Sequence, residues 1–205
     1  MLLGTVQERM EMKKKEIAVY KHNFNVWKRD FDRFMDENEN PVTVLGNKAY
    51  VGETKAGRRH GKGICYYRDG SKYAGEWLHD YYYGKGIFHT DTDKIEYGEW
   101  KLGDLQGLGM YEDDAGFVYE GDLKHGTQSG WGVVYKANKV YFEGEWKFGL
   151  RHGKGIRYME DGTFEGHWRY GVRHGLGTHI TKDGKTVKQE WFHGEAGRDN
   201  PEDIE

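Results

Sequence analysis

Apolar and polar positions follow two different periods along the chain. In the first forty residues, Met10, Ile17, Tyr20, Phe24, Trp27, Phe31 and Phe34 form a stripe, with steps of three and four alternating from Ile17 onward. That is heptad spacing, and it predicts one amphipathic helix over residues 5–36. Thr5 and Glu8 fit a capping box at its start. Pro41, after Asn38-Glu39-Asn40, closes the linker behind it. Lys13 takes the stripe position between Met10 and Ile17, so the stretch before residue 16 is expected to project or fray. A helix of this length is ~48 Å long.

After residue 41 the period becomes two. In Tyr73-Ala74-Gly75-Glu76-Trp77 the two rings and the glycine share one face of a strand. The unit recurs. Its anchor glycines are Gly52, Gly75, Gly98, Gly121, Gly144 and Gly166, at steps of 23, 23, 23, 23 and 22. A second glycine follows each anchor by nine residues (Gly61, Gly84, Gly107, Gly130, Gly153, Gly175) and a third by eleven (Gly63, Gly86, Gly109, Gly132, Gly155, Gly177). A seventh unit begins at Val187-Lys188-Gln189-Glu190-Trp191 and stops after Gly194, as a cap or edge. A turn rich in glycine and charge follows each first strand, as at Lys55-Ala56-Gly57-Arg58-Arg59, and Asp69-Gly70, Asp161-Gly162 and Asp183-Gly184 lead into the next hairpin. Glycine weakens a strand, and a large ring lying across it recovers the loss. The glycine rows are therefore read as a floor for rings, with Tyr73, Trp77, Trp100, Tyr119, Trp146 and Trp168 forming an aromatic row. The other face carries Glu53, Glu76, Glu99, Asp122 and Glu145, read as a solvated charge ladder with Lys55, Lys101, Lys124 and Lys147. At ~4.8 Å per strand, six hairpins predict a sheet on the order of 55–60 Å long, close to the helix length.

Tyr73-Ala74-Gly75-Glu76-Trp77 and the run Phe142-Glu143-Gly144-Glu145-Trp146-Lys147-Phe148-Gly149-Leu150-Arg151-His152-Gly153-Lys154-Gly155 resemble MORN repeats, over roughly residues 50 to 194. Thr54 and Leu123 replace the tryptophan, Glu96 the leading tyrosine, His167 the acidic residue and Gln189 the last anchor glycine. The expected fold is mainly β: a single-layer, elongated, twisted antiparallel sheet of MORN hairpins, preceded by a long amphipathic helix. Residues 1–41 are the helix and linker, 42–194 the array of six repeats plus a partial seventh, and 195–205 an acidic tail.

Composition changes this picture little. Glycine, at 31 of 205 residues with only two prolines, fits short strands and tight turns without a collagen period. Net charge is −3, with net 0 over residues 1–40, +1 over 41–194 and −4 over 195–205, which gives no global pull toward nucleic acid or anionic lipid. Cys65 is the only cysteine, so no intrachain disulfide forms and a reducing compartment fits. No apolar run approaches 18 residues, and no leader pattern is visible.

Catalytic chemistry finds little support. His60, His152 and His174 share one repeat position, with Tyr83, Gln106 and Ser129 in the intervening units; strands two apart lie ~10 Å from each other, too far for ligands to converge on one metal. Gly84-Lys85-Gly86 and its relatives lack the Gly-Lys-Ser/Thr of a phosphate loop. Neither enzyme chemistry, metal, cofactor nor nucleic-acid binding is expected. The stripe residues Ile17, Tyr20, Phe24, Trp27, Phe31 and Phe34 dock either on the chain's own sheet or on a partner helix or second copy, and they are the expected partner-binding residues. Resemblance to stand-alone MORN proteins implies a scaffold binding protein partners through the repeat groove and the helix, in cytoplasmic and cytoskeletal structures, above all the ciliary axoneme (radial-spoke-like) or protist cortex. Arg58-Arg59 and Lys13-Lys14-Lys15 leave open a rival reading as a tether to anionic membrane lipid. Self-association end to end through the seventh unit is a third.

Overall fold

The structure, a computed structural model, describes residues 6–37, 42–45, 48–92 and 94–196. It holds one helix, α1 (Val6–Glu37), and strands β1 (Val42–Leu45), β2 (Lys48–Lys55), β3 (Arg58–Tyr66), β4 (Lys72–Leu78), β5 (Tyr81–His89), β6 (Ile95–Lys101), β7 (Asp104–Glu112), β8 (Phe117–Lys124), β9 (Thr127–Lys136), β10 (Lys139–Lys147), β11 (Leu150–Tyr158), β12 (Gly162–Arg169), β13 (Val172–Thr181), β14 (Thr186–Phe192) and β15 (Glu195–Ala196). The chain forms two compact units, one of residues 14–127 and one of residues 1–13 with 128–205. In each, strands adjacent in sequence pair antiparallel, as hairpins following one another. The fold is mainly β with one N-terminal helix, in agreement with the two periods of the sequence. Thr5, the linker at 38–41 and the tail beyond Ala196 lie outside the described residues.

The three glycines have separate physical causes. Anchor and third glycines face each other across the hairpin, as Gly75↔Gly86 and Gly144↔Gly155. The ring two residues before the anchor lies over them. A β-carbon on Gly86 would fall 2.1 Å from the Tyr73 hydroxyl, and one on Gly155 would fall 2.5 Å from Cζ of Phe142. The Tyr50, Tyr73 and Tyr119 hydroxyls donate to the carbonyls of Glu53, Glu76 and Asp122, three residues on. The second glycine sits in a bulge, where the register slips between Gly75 and Glu76 and at the same place in other hairpins. Gly61, Gly84 and Gly153 there have φ of 61°, 58° and 58°, a left-handed conformation that only glycine adopts without strain.

Tryptophan closes the aromatic layer from the next hairpin. Trp77, Trp100 and Trp168 donate their indole N–H to Gly63, Gly86 and Gly155 carbonyls. Arg59, Arg151 and Arg173 lie over Trp77, Trp168 and Trp191 at 4.2–4.5 Å, and Tyr82 takes the same position in the second repeat, stacked on Tyr73 at 3.8 Å. Where the sequence departs from the pattern, the departures compensate. Glu96 removes a ring, and Leu105 and Leu123 fill the space over Gly98 and Gly109.

In the unit of residues 14–127, α1 lies on the opposite face of the sheet. Phe24 packs on Tyr97 at 4.6 Å between ring centroids. Trp27 donates its indole N–H to Glu76 at 3.0 Å, Lys21 pairs with Glu120 at 2.6 Å, and the Lys62 ammonium sits 4.7 Å from the Phe34 ring. The acidic row is therefore not the bare solvated ladder expected from the sequence: Glu76 binds the helix, and Glu53 accepts the Lys62 backbone N–H at the bulge, at 2.6 Å.

Candidate interaction surfaces

Of the six helix residues singled out in the sequence, Ile17, Phe24 and Phe31 are buried and Tyr20, Trp27 and Phe34 half-buried. Phe24, Trp27 and Phe34 contact the chain's own strands. Tyr20 lies beside Tyr97 and Glu99, and burial together with the Glu99 charge raises its phenol well above the usual range. Of the two alternatives the sequence left open, these contacts are those of docking on the chain's own sheet, whose face beneath the stripe carries Ile87 and Tyr97 instead of charge alone. In the aromatic row, Tyr73, Trp77, Trp100, Tyr119 and Trp168 are buried and Trp146 half-buried. They hold the array together and offer little to solvent.

Histidines do not converge. His60 stands against His79 at 5.4 Å and His174 against His193 at 5.9 Å, each a pair at the turn edge of a hairpin. Among the described residues no group of three or more His, Cys, Asp or Glu side chains is placed to hold a metal ion, and no helix is long and apolar enough to cross a membrane. Cys65 is buried under the Arg59 guanidinium.

The open surfaces lie elsewhere. Within the unit of residues 128–205, turns at one edge of the hairpins carry Phe148, 81% exposed, and Tyr170, 66% exposed; Phe192, 68% exposed, ends β14 just before the last turn. Leu150 and Val172, also exposed, reach toward the glycines Gly171 and Gly194 of the following turns and add to the apolar surface of this edge. Lys147 and Arg169 stand 5.6 and 5.5 Å from the Phe148 and Tyr170 rings. Phe148 and Tyr170 have φ of 52° and 51°, each followed by a left-handed glycine. Such two-residue turns favour Asn-Gly or Asp-Gly, and a bulky residue there is a strained outlier. Sequence reasoning treated these turns as generic; the misfit of an aromatic residue before the turn glycine was the available signal.

A second open surface is the helix-side face of β11–β14. Register places His167 opposite Lys154, Glu165 opposite Thr178 and Lys188 opposite Thr178. Leu176, opposite Glu190, is 69% exposed there, and these side chains line an open trough.

Comparison with curated proteins gives no match. Against family models, four segments match the MORN repeat, at residues 50–72, 97–116, 142–163 and 164–186. The hairpin β4–β5 between the first two matches has the same ring, glycine and bulge geometry. MORN repeats are non-enzymatic modules of protein and membrane interaction. Matched segments and hairpin geometry lead to one assignment: the chain is a MORN-repeat protein.

Proposed function

We propose that the chain is a non-catalytic scaffold or adaptor of a large cytoskeletal assembly, ciliary axoneme or protist cortex, holding protein partners. The observation that carries this reading is the exposed row Phe148, Leu150, Tyr170, Val172 and Phe192. Exposed contiguous apolar patches mark interaction sites. Here the Phe148 and Tyr170 rings also occupy strained turn positions and stay exposed, a combination that packing alone does not explain. The cytoskeletal setting rests on resemblance to stand-alone MORN proteins, an argument by analogy.

A rival reading, a tether to anionic phospholipid, is favoured by Lys147 and Arg169 beside the same rings, an arrangement suited to a charged interface. One variant serves both. Phe148→Asn with Tyr170→Asn restores the residue that these turns prefer and leaves folding intact or slightly improved. Tagged wild type and variant are extracted from cells with detergent and then with high salt. A scaffold keeps wild type in the pellet through both steps and releases the variant. Release of wild type by detergent alone, with salt-sensitive sedimentation on phosphatidylserine vesicles, establishes the tether instead.

A further inference from the structure

We propose that the open face of β11–β14 is a docking groove for an amphipathic α-helix of a partner protein. This goes beyond the turn-edge surface and rests on the reading of the chain as a partner-binding protein. The chain's own helix supplies the argument. In the unit of residues 14–127, Tyr20, Trp27 and Phe34 lie seven apart and meet Tyr97, Glu76 and Lys62 respectively. Ile17, Phe24 and Phe31, also seven apart, are the buried positions between them. Together these contacts lay the helix across β3, β4 and β6, ring and charged positions of these strands meeting one apolar stripe.

The same positions recur in the other unit without such a cover on Leu176. Glu165 occupies the repeat position of Glu120, which pairs with Lys21. His167 occupies that of Glu76, and Lys154 that of Lys62, whose ammonium rests on Phe34. Register confirms that they share a face: Lys154↔His167 repeats Lys62↔Glu76, and Ile156↔Glu165 repeats Ile64↔Ala74. The chemistry defines the occupant. It carries an apolar residue for Leu176, a Lys or Arg for Glu165, and aromatic or acidic residues for Lys154 and Lys188. A second copy of this chain is disfavoured, because the apolar stripe of α1 is already engaged.

The full chain is titrated with a labelled synthetic peptide of residues 14–37 and followed by fluorescence anisotropy. Expected is saturable binding of one peptide per chain. Leu176→Glu places a charge against the apolar stripe and weakens binding about tenfold or more. Glu165→Lys weakens it as well, and the peptide with Lys21→Glu recovers binding to that variant alone. Both positions are at the surface, and unchanged thermal unfolding shows that the variants fold. Absence of binding overturns the proposal. So does binding that ignores both substitutions, which means the peptide displaces α1 from the strands of residues 14–127. A Leu176-dependent dimer in sedimentation, or Leu176-dependent binding to anionic vesicles in place of the peptide, replaces the occupant and overturns it equally. Groove binding that persists while the Phe148 and Tyr170 variant is retained in the pellet disproves the proposed turn-edge role and leaves the groove intact; the reverse result disproves the groove alone.

Discussion

The tyrosine two residues before an anchor glycine has three tasks at Tyr50 and Tyr73: its ring covers two glycines, its hydroxyl satisfies a carbonyl at the bulge, and its edge meets a tryptophan. Tyr73 shows all three, with Gly86 beneath it, the Glu76 carbonyl accepting its hydrogen bond, and Trp77 and Trp100 at 5.0 and 5.5 Å. Gly86→Ala would push a methyl group into that ring, which is fully buried and itself packed against Trp77, Tyr82 and Trp100. A loss of about 3 kcal/mol is expected in urea unfolding, whereas Gly70→Ala, with open space around it and φ of 93°, should cost about 1 kcal/mol through backbone strain alone. Equal losses would mean that ring packing is not what selects glycine. Glu96, in the place of a tyrosine, is a different case. Burial raises its carboxyl above the ordinary value. Below the unfolded pKa both states are protonated and nothing is lost; as pH rises through the raised folded pKa, stability falls. Glu96→Gln should therefore be more stable than wild type at neutral pH, with the difference vanishing near pH 4, as read from melting temperature against pH. The ring-on-glycine arrangement was legible in the spacing, because alternation fixes which residues share a face. The filling of the Glu96 gap by Leu105 and Leu123 was not, since it requires knowing which side chains cross between strands.

At the scale of elements, the helix and the hairpins fit through ring contacts and charged partners along one face. The heptad stripe was visible in the sequence, and so was its need for a cover. What the sequence left open was the choice of face. The acidic row looked solvated because its residues are charged, yet a carboxylate that accepts an indole N–H or a lysine can line a helix interface when the positions between are Ile87 and Tyr97. If the helix is packed in the isolated chain, Phe24→Ala should lower stability by about 3 kcal/mol or more. Val19→Ala, on the outer side and 60% exposed, should stay within about 0.5 kcal/mol. Guanidinium unfolding of the two variants makes the comparison. A silent Phe24→Ala would show that α1 leaves the sheet in solution and that its stripe is offered to a partner.

On the scale of the molecule, a sheet whose strands pair only with their sequence neighbours has few ways to share stability between distant parts. Every pairing within residues 48–124 joins consecutive strands, and the same holds within residues 127–196. Repeat arrays of this kind behave as a sum of unit and neighbour terms. Surface function then becomes separable from fold: a turn residue such as Phe148 or a face residue such as Leu176 changes without consequence for hairpins farther along. That also explains why the open surfaces were harder to read than the fold. A repeat pattern averages its units, whereas Phe148, Tyr170 and Leu176 matter as departures from the average. The test is hydrogen exchange on the Gly86→Ala variant. Amides of β3–β6 should exchange faster by the factor that corresponds to the measured loss of stability, about a hundredfold for ~3 kcal/mol, while those of β11–β13 keep the wild-type rates. Uniform acceleration across both units would show that the chain opens as one cooperative body, and a substitution at the turn edge or the groove would then have to be judged for its effect on the whole fold.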